Sequence, residues 1–347
     1  MKVSSKTLHA CLSDRMLRLI VMPTEACNFR CVYCYEDFAH GRMPATVVRG
    51  IKNLLSSRAA SLDLLTLSWF GGEPLIARDI IEDIHQHVHV LIRENPGLHL
   101  SSDMTTNAYF LSRSVFEQLL ACGITQYQIP FDGPEQWHDR KRKLANGKGT
   151  FARIWQNLLS MREVKGMFSV FVRLHIDMEN HDSLPGFIEE YQRAFAKDLR
   201  FKLFPRRLSR LGGPNDASLP AYEDQQGRVA ETELIHLANT LKIPNIPKKM
   251  ISPICYAAQA NSFVVRSDGR LNKCTVALEE STNQVGRLHE DGSLELTPVN
   301  LHGWMRGLVS GDKLELECPM HGLVEKTGKA APRPAFQILA AGVLHKL

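Results

Sequence analysis

Short apolar runs rich in β-branched residues alternate with amphipathic stretches over the first two-thirds of the chain. Residues 17–23 (LRLIVMP) are a continuous apolar run closed by proline, the pattern of a buried strand. Residues 45–57 set Val47, Val48, Ile51, Leu54 and Leu55 on one helical face. The alternation then repeats. A strand is predicted over residues 64–70, stopped by Gly71-Gly72, and a helix over residues 78–93. A strand over 98–105 precedes a helix over 112–122, with Ser112 as its N-cap and Gly123 as its stop. Strands over 125–131, 168–178 and 199–204 follow, with helices over 150–164, 184–196 and 223–241. Six strand–helix units predict an α/β fold, a partial (β/α)6 barrel of the TIM type, with ligands at the carboxyl ends of its strands.

The pattern breaks at residues 206–220, a stretch rich in Arg, Gly and Pro that reads as a loop. Its arginines are a candidate contact for a partner, although a solvated loop explains them as well. Beyond Pro253 the chain turns to short strands. Residues 263–265 and 271–274 flank Ser267-Asp268-Gly269 and predict a hairpin. Pro244, Pro247 and Pro253 mark a boundary. The expected organisation is a barrel over residues 1–245, a small domain over 246–325 and a C-terminal helix over 326–347.

Charge narrows the partners. The formal charge of +5 suits an acidic peptide. No basic run is long enough to predict nucleic acid binding; the nearest is Arg140-Lys141-Arg142-Lys143. No apolar window reaches the roughly 18 residues of a membrane span, and residues 1–10 hold no signal core, so a cytoplasmic location without a membrane partner is expected. The eight cysteines are then expected to ligate metal or clusters rather than to form disulfides.

Three of them form the first constellation: Cys27-Asn-Phe-Arg-Cys31-Val-Tyr-Cys34, directly after a buried strand. Three thiolates can hold an iron–sulfur cluster and leave one iron open, whereas a closed structural site uses four protein ligands. A zinc knuckle completed by another residue such as His40 is the alternative.

This segment resembles the hallmark of the radical S-adenosylmethionine (SAM) superfamily, C-x3-C-x-aromatic-C, with Tyr33 as the aromatic. Gly71-Gly72-Glu73-Pro74 resembles the family's GGEP motif, whose backbone and carboxylate receive the cofactor's ammonium group. Thr105-Thr106-Asn107 is similar to the run that closes the third strand. Asp132-Gly133-Pro134, His138-Asp139, Arg142 and Gly147-Lys148-Gly149-Thr150-Phe151 resemble a stretch found in peptide-modifying members. Pro130 departs from it, standing where a cofactor-binding Ser is usual. The likeness implies a [4Fe–4S] cluster on Cys27, Cys31 and Cys34. It also implies S-adenosylmethionine held near Tyr33, Gly71, Gly72, Glu73, Pro74, Asn107 and Arg142.

The second constellation is Cys255, thirteen residues, Gly269, four residues and Cys274, followed by Cys318. It resembles a shortened auxiliary-cluster domain of the SPASM or twitch type. The resemblance implies one auxiliary iron–sulfur cluster on Cys255, Cys274 and Cys318, with His321 the candidate fourth ligand. Cys11 and Cys122 read as structural.

The resemblance spans about residues 15–320 and implies an oxidoreductase that modifies a ribosomally made precursor peptide, fed by an external flavodoxin- or ferredoxin-type donor. Sulfatase-maturing relatives carry an Asp after the second auxiliary Cys, where this chain has Thr275. The shortened auxiliary domain is closer to the three-residue cyclophane formers (XYE type), which join an aromatic ring to a side-chain carbon. Formylglycine or thioether formation are the alternative modifications. A zinc-stabilised binder and an electron-transfer protein are the readings outside that chemistry. With 26 residues ahead of Cys27, no separate leader-binding domain is expected there.

Overall fold

The computed structural model describes residues 5–244 and 252–323. Its strands in chain order are β1 (Met16–Val21), β2 (Phe29–Cys31), β3 (Leu64–Trp69), β4 (His99–Thr105), β5 (Gln126–Phe131), β6 (Arg142–Leu144), β7 (Ser169–Ile176), β8 (Phe201–Arg207), β9 (Ser262–Val265), β10 (Arg270–Asn272), β11 (Gln284–Leu288) and β12 (Leu294–Leu296). Helices Ala45–Arg58, Arg78–Glu94, Arg113–Ala121, Phe151–Arg162, Leu184–Phe195 and Asp224–Thr240 complete the predicted alternation. The fold is α/β and its strands are mostly parallel, as the periodicity requires.

Two compact units divide the chain. One comprises the described residues up to 26, residues 38–102 and those from 252 onward. Its strand order is β12-β11-β10-β9-β1-β3 and then the start of β4. β1 lies between parallel partners, β3 on one side and β9 on the other. β3 is wholly buried, including its two small hydroxyl residues Thr66 and Ser68, as suits a strand flanked in a parallel sheet. The hairpin predicted around Gly269 is present as β9 and β10, and Gly269 has the positive φ (+86°) that its turn needs.

The other unit comprises residues 27–37 and the described residues from 103 to 244. It carries the end of β4, then β5, β7 and β8 in parallel. On β5 the buried residues Tyr127, Ile129 and Phe131 alternate with half-buried Gln126, Gln128 and Pro130. Phe131, Phe151, Trp155 and Phe187 form an aromatic core, with Phe151 stacked on Trp155 at 5.6 Å. Ser112 caps its helix as predicted, accepting from Val115 N–H at 3.5 Å.

Some elements escaped the periodicity: the helices Ser5–Leu12, Pro298–Ser310 and Lys313–Glu317, and the antiparallel pair β2 and β6. A three-residue strand has too few positions to show a period. The expected boundary near 245 and the expected C-terminal helix over 326–347 lie outside the described residues. Residues from 252 belong to the same compact unit as β1 and β3. No described helix is long and apolar enough to cross a membrane.

A buried ion pair fixes the chain just ahead of the first cysteines. Arg266, 1% exposed, donates through Nε to Glu25, 2% exposed, at 3.1 Å. Ser267 donates to the same carboxylate through N–H at 3.2 Å and Oγ at 3.0 Å. Arg266 also reaches the Leu278 carbonyl and the exposed Glu279. Breaking one side of such a pair strands a buried charge. Glu25→Gln should therefore cost about 3 kcal/mol in denaturant unfolding. Glu279→Gln, at a solvent-screened partner, should cost less than about 1 kcal/mol.

Candidate functional site

The pairing of β2 with β6 shapes the first cysteine loop. Cys31 sits opposite Arg142 and Phe29 opposite Leu144. Val32 N–H donates to the Lys141 carbonyl at 3.0 Å, and Ala145 N–H to the Asn28 carbonyl at 2.8 Å. A turn then closes from Cys34 N–H to the Cys31 carbonyl at 3.1 Å. Phe29 N–H donates to Cys27 Sγ at 3.3 Å. Asn107 Nδ2 donates to Asn28 Oδ1 at 2.8 Å and lies 3.9 Å from Cys27 Sγ. Burial drives the Cys34 thiol up to about 12 and raises that of Cys31, and each of these values also feels neighbouring charges.

The Arg-rich loop closes over this segment rather than reaching outward. A Cβ on Gly213 would lie 2.4 Å from the Cys34 carbonyl oxygen, so only glycine fits. Asn215 Nδ2 donates to the Val32 carbonyl at 2.9 Å. Arg206 pairs with Glu231 at 3.0 Å and Arg207 with Asp224 at 2.8 Å. Arg210 holds the Asp216 and Leu219 carbonyls. The strand β8 itself runs through Arg206 and Arg207, two residues past the predicted start of the loop. These arginines are structural ties, which their sequence alone did not reveal.

Tyr33 is held by a buried polar network. Its hydroxyl donates to Asp132 Oδ2 at 2.8 Å and accepts from Arg142 Nη1 at 2.8 Å. His175 Nδ1 lies 3.0 Å from Asp132 Oδ1 and 3.1 Å from the Tyr33 hydroxyl. Asn180 Nδ2 ties the Asp132 and His175 carbonyls. Asp132 directly follows β5 and His175 is near the end of β7, the strand ends where parallel α/β folds bind ligands. Burial opposes the Asp132 charge, but the His175 hydrogen bond, its charge and Arg142 outweigh it and hold the carboxyl down to about 2. Burial lowers His175 despite Asp132. Arg142 is raised against its own burial by Tyr33, Cys31 and Asp132. Tyr33 and Arg142 are legible in the sequence but His175 is not, because no motif marks it within the largely apolar strand β7.

The GGEP turn lies in the other unit. Gly71 has φ +112°, and a Cβ there would meet the Thr24 carbonyl at 2.4 Å. At Gly72 a Cβ would lie 2.4 Å from the Ala26 carbonyl oxygen and 2.6 Å from that of Glu25. Glu73 N–H donates to the Ala26 carbonyl at 3.0 Å. The glycines thus admit the chain's own carbonyls from the residues just before Cys27. The fully buried Glu73 accepts from Leu75 N–H at 3.1 Å, and Pro74 opens the short 3-10 turn that follows.

Cys255, Cys274 and Cys318 are all buried in that same unit. Burial raises all three thiols, and Cys274 and Cys318 raise Cys255 further. Asn283 staples the Cys274 backbone, accepting from its N–H at 2.8 Å and donating to its carbonyl at 2.9 Å. Val276 N–H donates to Cys274 Sγ at 3.4 Å, and Met320 Sδ lies 3.8 Å from that sulfur. Lys273 is buried, its ammonium held by the Gln259 and Ser262 carbonyls. His321 is exposed, with its N–H bonded to the Cys318 carbonyl at 3.0 Å. Cys11 packs with Ile254, Ala258 and Leu316, a structural placement.

The donor set fits iron–sulfur ligation. N–H groups aimed at the sulfurs of Cys27 and Cys274 favour thiolate, the ligand form. Among the described residues no three His, Cys, Asp or Glu gather closely enough to hold a single metal ion. His40, the residue considered for a zinc knuckle, is hydrogen bonded to Arg270 at 2.6 Å.

Residues 21–190 match the model of the Radical SAM superfamily. The chain is 33% identical over 163 residues to GTP 3′,8-cyclase of Pectobacterium atrosepticum, a match covering 43% of this chain and 47% of that protein. It thus spans about half the length of this relative. A probable GTP 3′,8-cyclase of Saccharolobus solfataricus is 24% identical over 260 residues, 72% of this chain and 80% of its own. Among solved structures, native anSMEcpe with bound AdoMet and Cp18Cys peptide matches with a TM-score of 0.62 at 16% identity, covering 86% of this chain and 84% of that one. Streptococcus suis SuiB bound to precursor peptide SuiA matches with a TM-score of 0.62 at 13% identity, covering 97% and 78%. At these identities the structural matches establish a common fold.

The depressed Asp132 carboxyl sets a pH signature. Its folded pKa lies below the unfolded value near ~3.9, so its stabilisation is complete above that value and is lost as pH falls toward 2. Asp132→Asn should destabilise the chain at pH 7, and the gap in unfolding free energy from wild type should narrow steadily below about pH 4. A gap independent of pH would show that the carboxylate charge contributes nothing.

Proposed function

We propose that this chain, whose residues 21–190 match the Radical SAM superfamily, is a radical SAM enzyme that oxidatively modifies a ribosomally made precursor peptide by joining an aromatic ring to a side-chain carbon. Cys27, Cys31 and Cys34 are the proposed ligands of the [4Fe–4S] cluster. Cys255, Cys274 and Cys318 are the proposed ligands of one auxiliary cluster. Tyr33, the Gly71-Gly72-Glu73-Pro74 turn, Asn107 and Arg142 are the proposed S-adenosylmethionine contacts. When bound, cluster and cofactor supply a 5′-deoxyadenosyl radical that can take a hydrogen atom from an unactivated carbon.

The observation that carries this reading is the cysteine loop itself. Its backbone is fixed by β2 and β6, and its aromatic residue is pinned by the strand-end residues Asp132 and His175. Forming an aryl–carbon bond removes two hydrogens from the peptide, one as an atom and one as a proton with an electron. The electron needs an acceptor, and a cluster held by Cys255, Cys274 and Cys318 would supply one. The proton needs a base. His175 is the proposed one: Asp132 holds its Nδ1, and its lowered pKa keeps the ring neutral near pH 7. The peptide substrate is supported by the fold shared with two proteins solved with peptides. A flavodoxin- or ferredoxin-type protein is the proposed electron donor.

The names of the curated relatives favour a second reading, cyclisation of a nucleotide. One assay separates them. The anaerobically reconstituted chain should hold about eight irons, release 5′-deoxyadenosine under strong reductant, and leave a co-expressed precursor peptide two hydrogens lighter by mass spectrometry. Turnover of GTP with an unchanged peptide would establish the second reading instead. Replacing Cys27, Cys31 and Cys34 together by Ala should remove about half of the iron and all deoxyadenosine. Replacing Cys255, Cys274 and Cys318 should remove the other half.

A further inference from the structure

A cation of the second unit has no counterpart. Arg173 lies in β7, in register with Pro130 of β5 and Phe204 of β8, while His175 is in register with Arg206. Val172 and Leu174 are fully buried on the opposite face, so half-buried Arg173 shares its face with buried His175. Phe204 and Arg206 are half-buried on the matching face of β8. Among the described residues the Arg173 guanidinium makes no hydrogen bond or ion pair, and its Nε is buried without a partner. The carboxylate that acts on it, Glu231, is already taken by Arg206 Nη1 at 3.0 Å and by Arg207 N–H at 3.4 Å. Arg206 repels it, and with burial this pulls Arg173 down to about 10.

A half-buried guanidinium with its Nε buried and unbonded, in the field of a second cation, is costly in the protein alone. His175, two residues along the same side of β7, lies 3.1 Å from the hydroxyl of Tyr33, which directly precedes Cys34. The site therefore borders the cysteine loop, inside a single compact unit. A planar guanidinium with no acceptor among the described residues is matched by a carboxylate, which it binds through two parallel hydrogen bonds.

We propose that Arg173 is a carboxylate-binding site that borders the Cys34 loop. Two carboxylates can reach it under the proposed function, that of the methionine half of S-adenosylmethionine and that of an acidic residue in the peptide. The inference rests on that function only for the identity of the ligand.

The test uses the anaerobically reconstituted full chain and two pairs of probes. The first pair is S-adenosylmethionine and its decarboxylated analogue. The second is a fluorescent hexapeptide rich in Glu and the same peptide with Gln. Wild type should prefer the carboxylate-bearing member of at least one pair by about 10- to 100-fold. Arg173→Met should abolish that preference, and Arg173→Lys should restore part of it. Loss in the first pair assigns the site to the cofactor, and loss in the second assigns it to the substrate. Thermal unfolding of the Arg173→Met apoprotein should show no loss of stability, because an unpaired charge has been removed. No preference in wild type, or a preference that Arg173→Met retains, would overturn the proposal; so would a marked fall in melting temperature, which marks a structural role. Wild-type release of 5′-deoxyadenosine is scored separately. A chain that releases it yet shows no preference overturns this site and leaves the proposed function standing.

Discussion

The hydroxyl of Tyr33 holds the chemistry of the second unit in place. It sits in the sequence between Cys31 and Cys34, and in space between a buried carboxylate and a buried guanidinium. Inside a protein such a network stabilises only when its members are mutually satisfied, because each unmet group there is expensive. Asp132 comes from the end of β5, Arg142 from β6 and His175 from β7. The cysteine loop is therefore positioned by three elements at once, and a shift of the loop must uncover one of their charges. That is how a segment with little regular structure of its own gains a fixed geometry. The packing of Gly213 on the Cys34 carbonyl closes the same loop from the other direction.

Much of this was legible in the sequence, and the parts that were not share a cause. Long periodic segments such as Arg78–Glu94 and the mostly apolar β3 are legible, because burial of one face or of a whole strand leaves a repeated mark. The Cys27, Cys31 and Cys34 spacing was readable because ligation constrains neighbouring residues. Contacts between distant residues leave no such mark. Nothing around His175 predicts its bond to Asp132, 43 positions earlier. Nothing in the run from Arg206 to Arg210 reveals that Glu231, Asp224 and two backbone carbonyls would occupy its charges. The GGEP turn was found, but its glycines were assigned to a ligand's approach when the residues before Cys27 already require them. A motif read from sequence identifies a position more securely than the force that keeps it.

The two kinds of similarity address different questions. Sequence likeness to the cyclases is strongest over 163 residues, about the extent of the matched domain at residues 21–190. A domain that handles a common cofactor is constrained by that cofactor and says little about what else enters the site. Fold likeness to anSMEcpe and SuiB extends over most of this chain, including the part beyond the matched domain. Neither fixes a substrate, so the choice falls to the side chains of this particular molecule.

Those side chains are out of electrostatic balance in the protein alone, and in a consistent way. Burial raises the thiols of Cys31 and Cys34 in one unit and of Cys255, Cys274 and Cys318 in the other. Buried cations stand near them with no carboxylate bonded to them among the described residues: Arg142, its Nε unbonded, and Lys273, held by two carbonyls and lying over the Phe263 ring. A hydrophobic replacement would remove each cost outright, so retaining thiols and cations together makes physical sense only if something enters that suits both. Under the proposed function a thiolate-ligated iron–sulfur cluster would suit both, because iron favours thiolate and the cluster's net negative charge would match the cations. On this argument the cysteines and their neighbouring cations are one device, and neither is explained without the other.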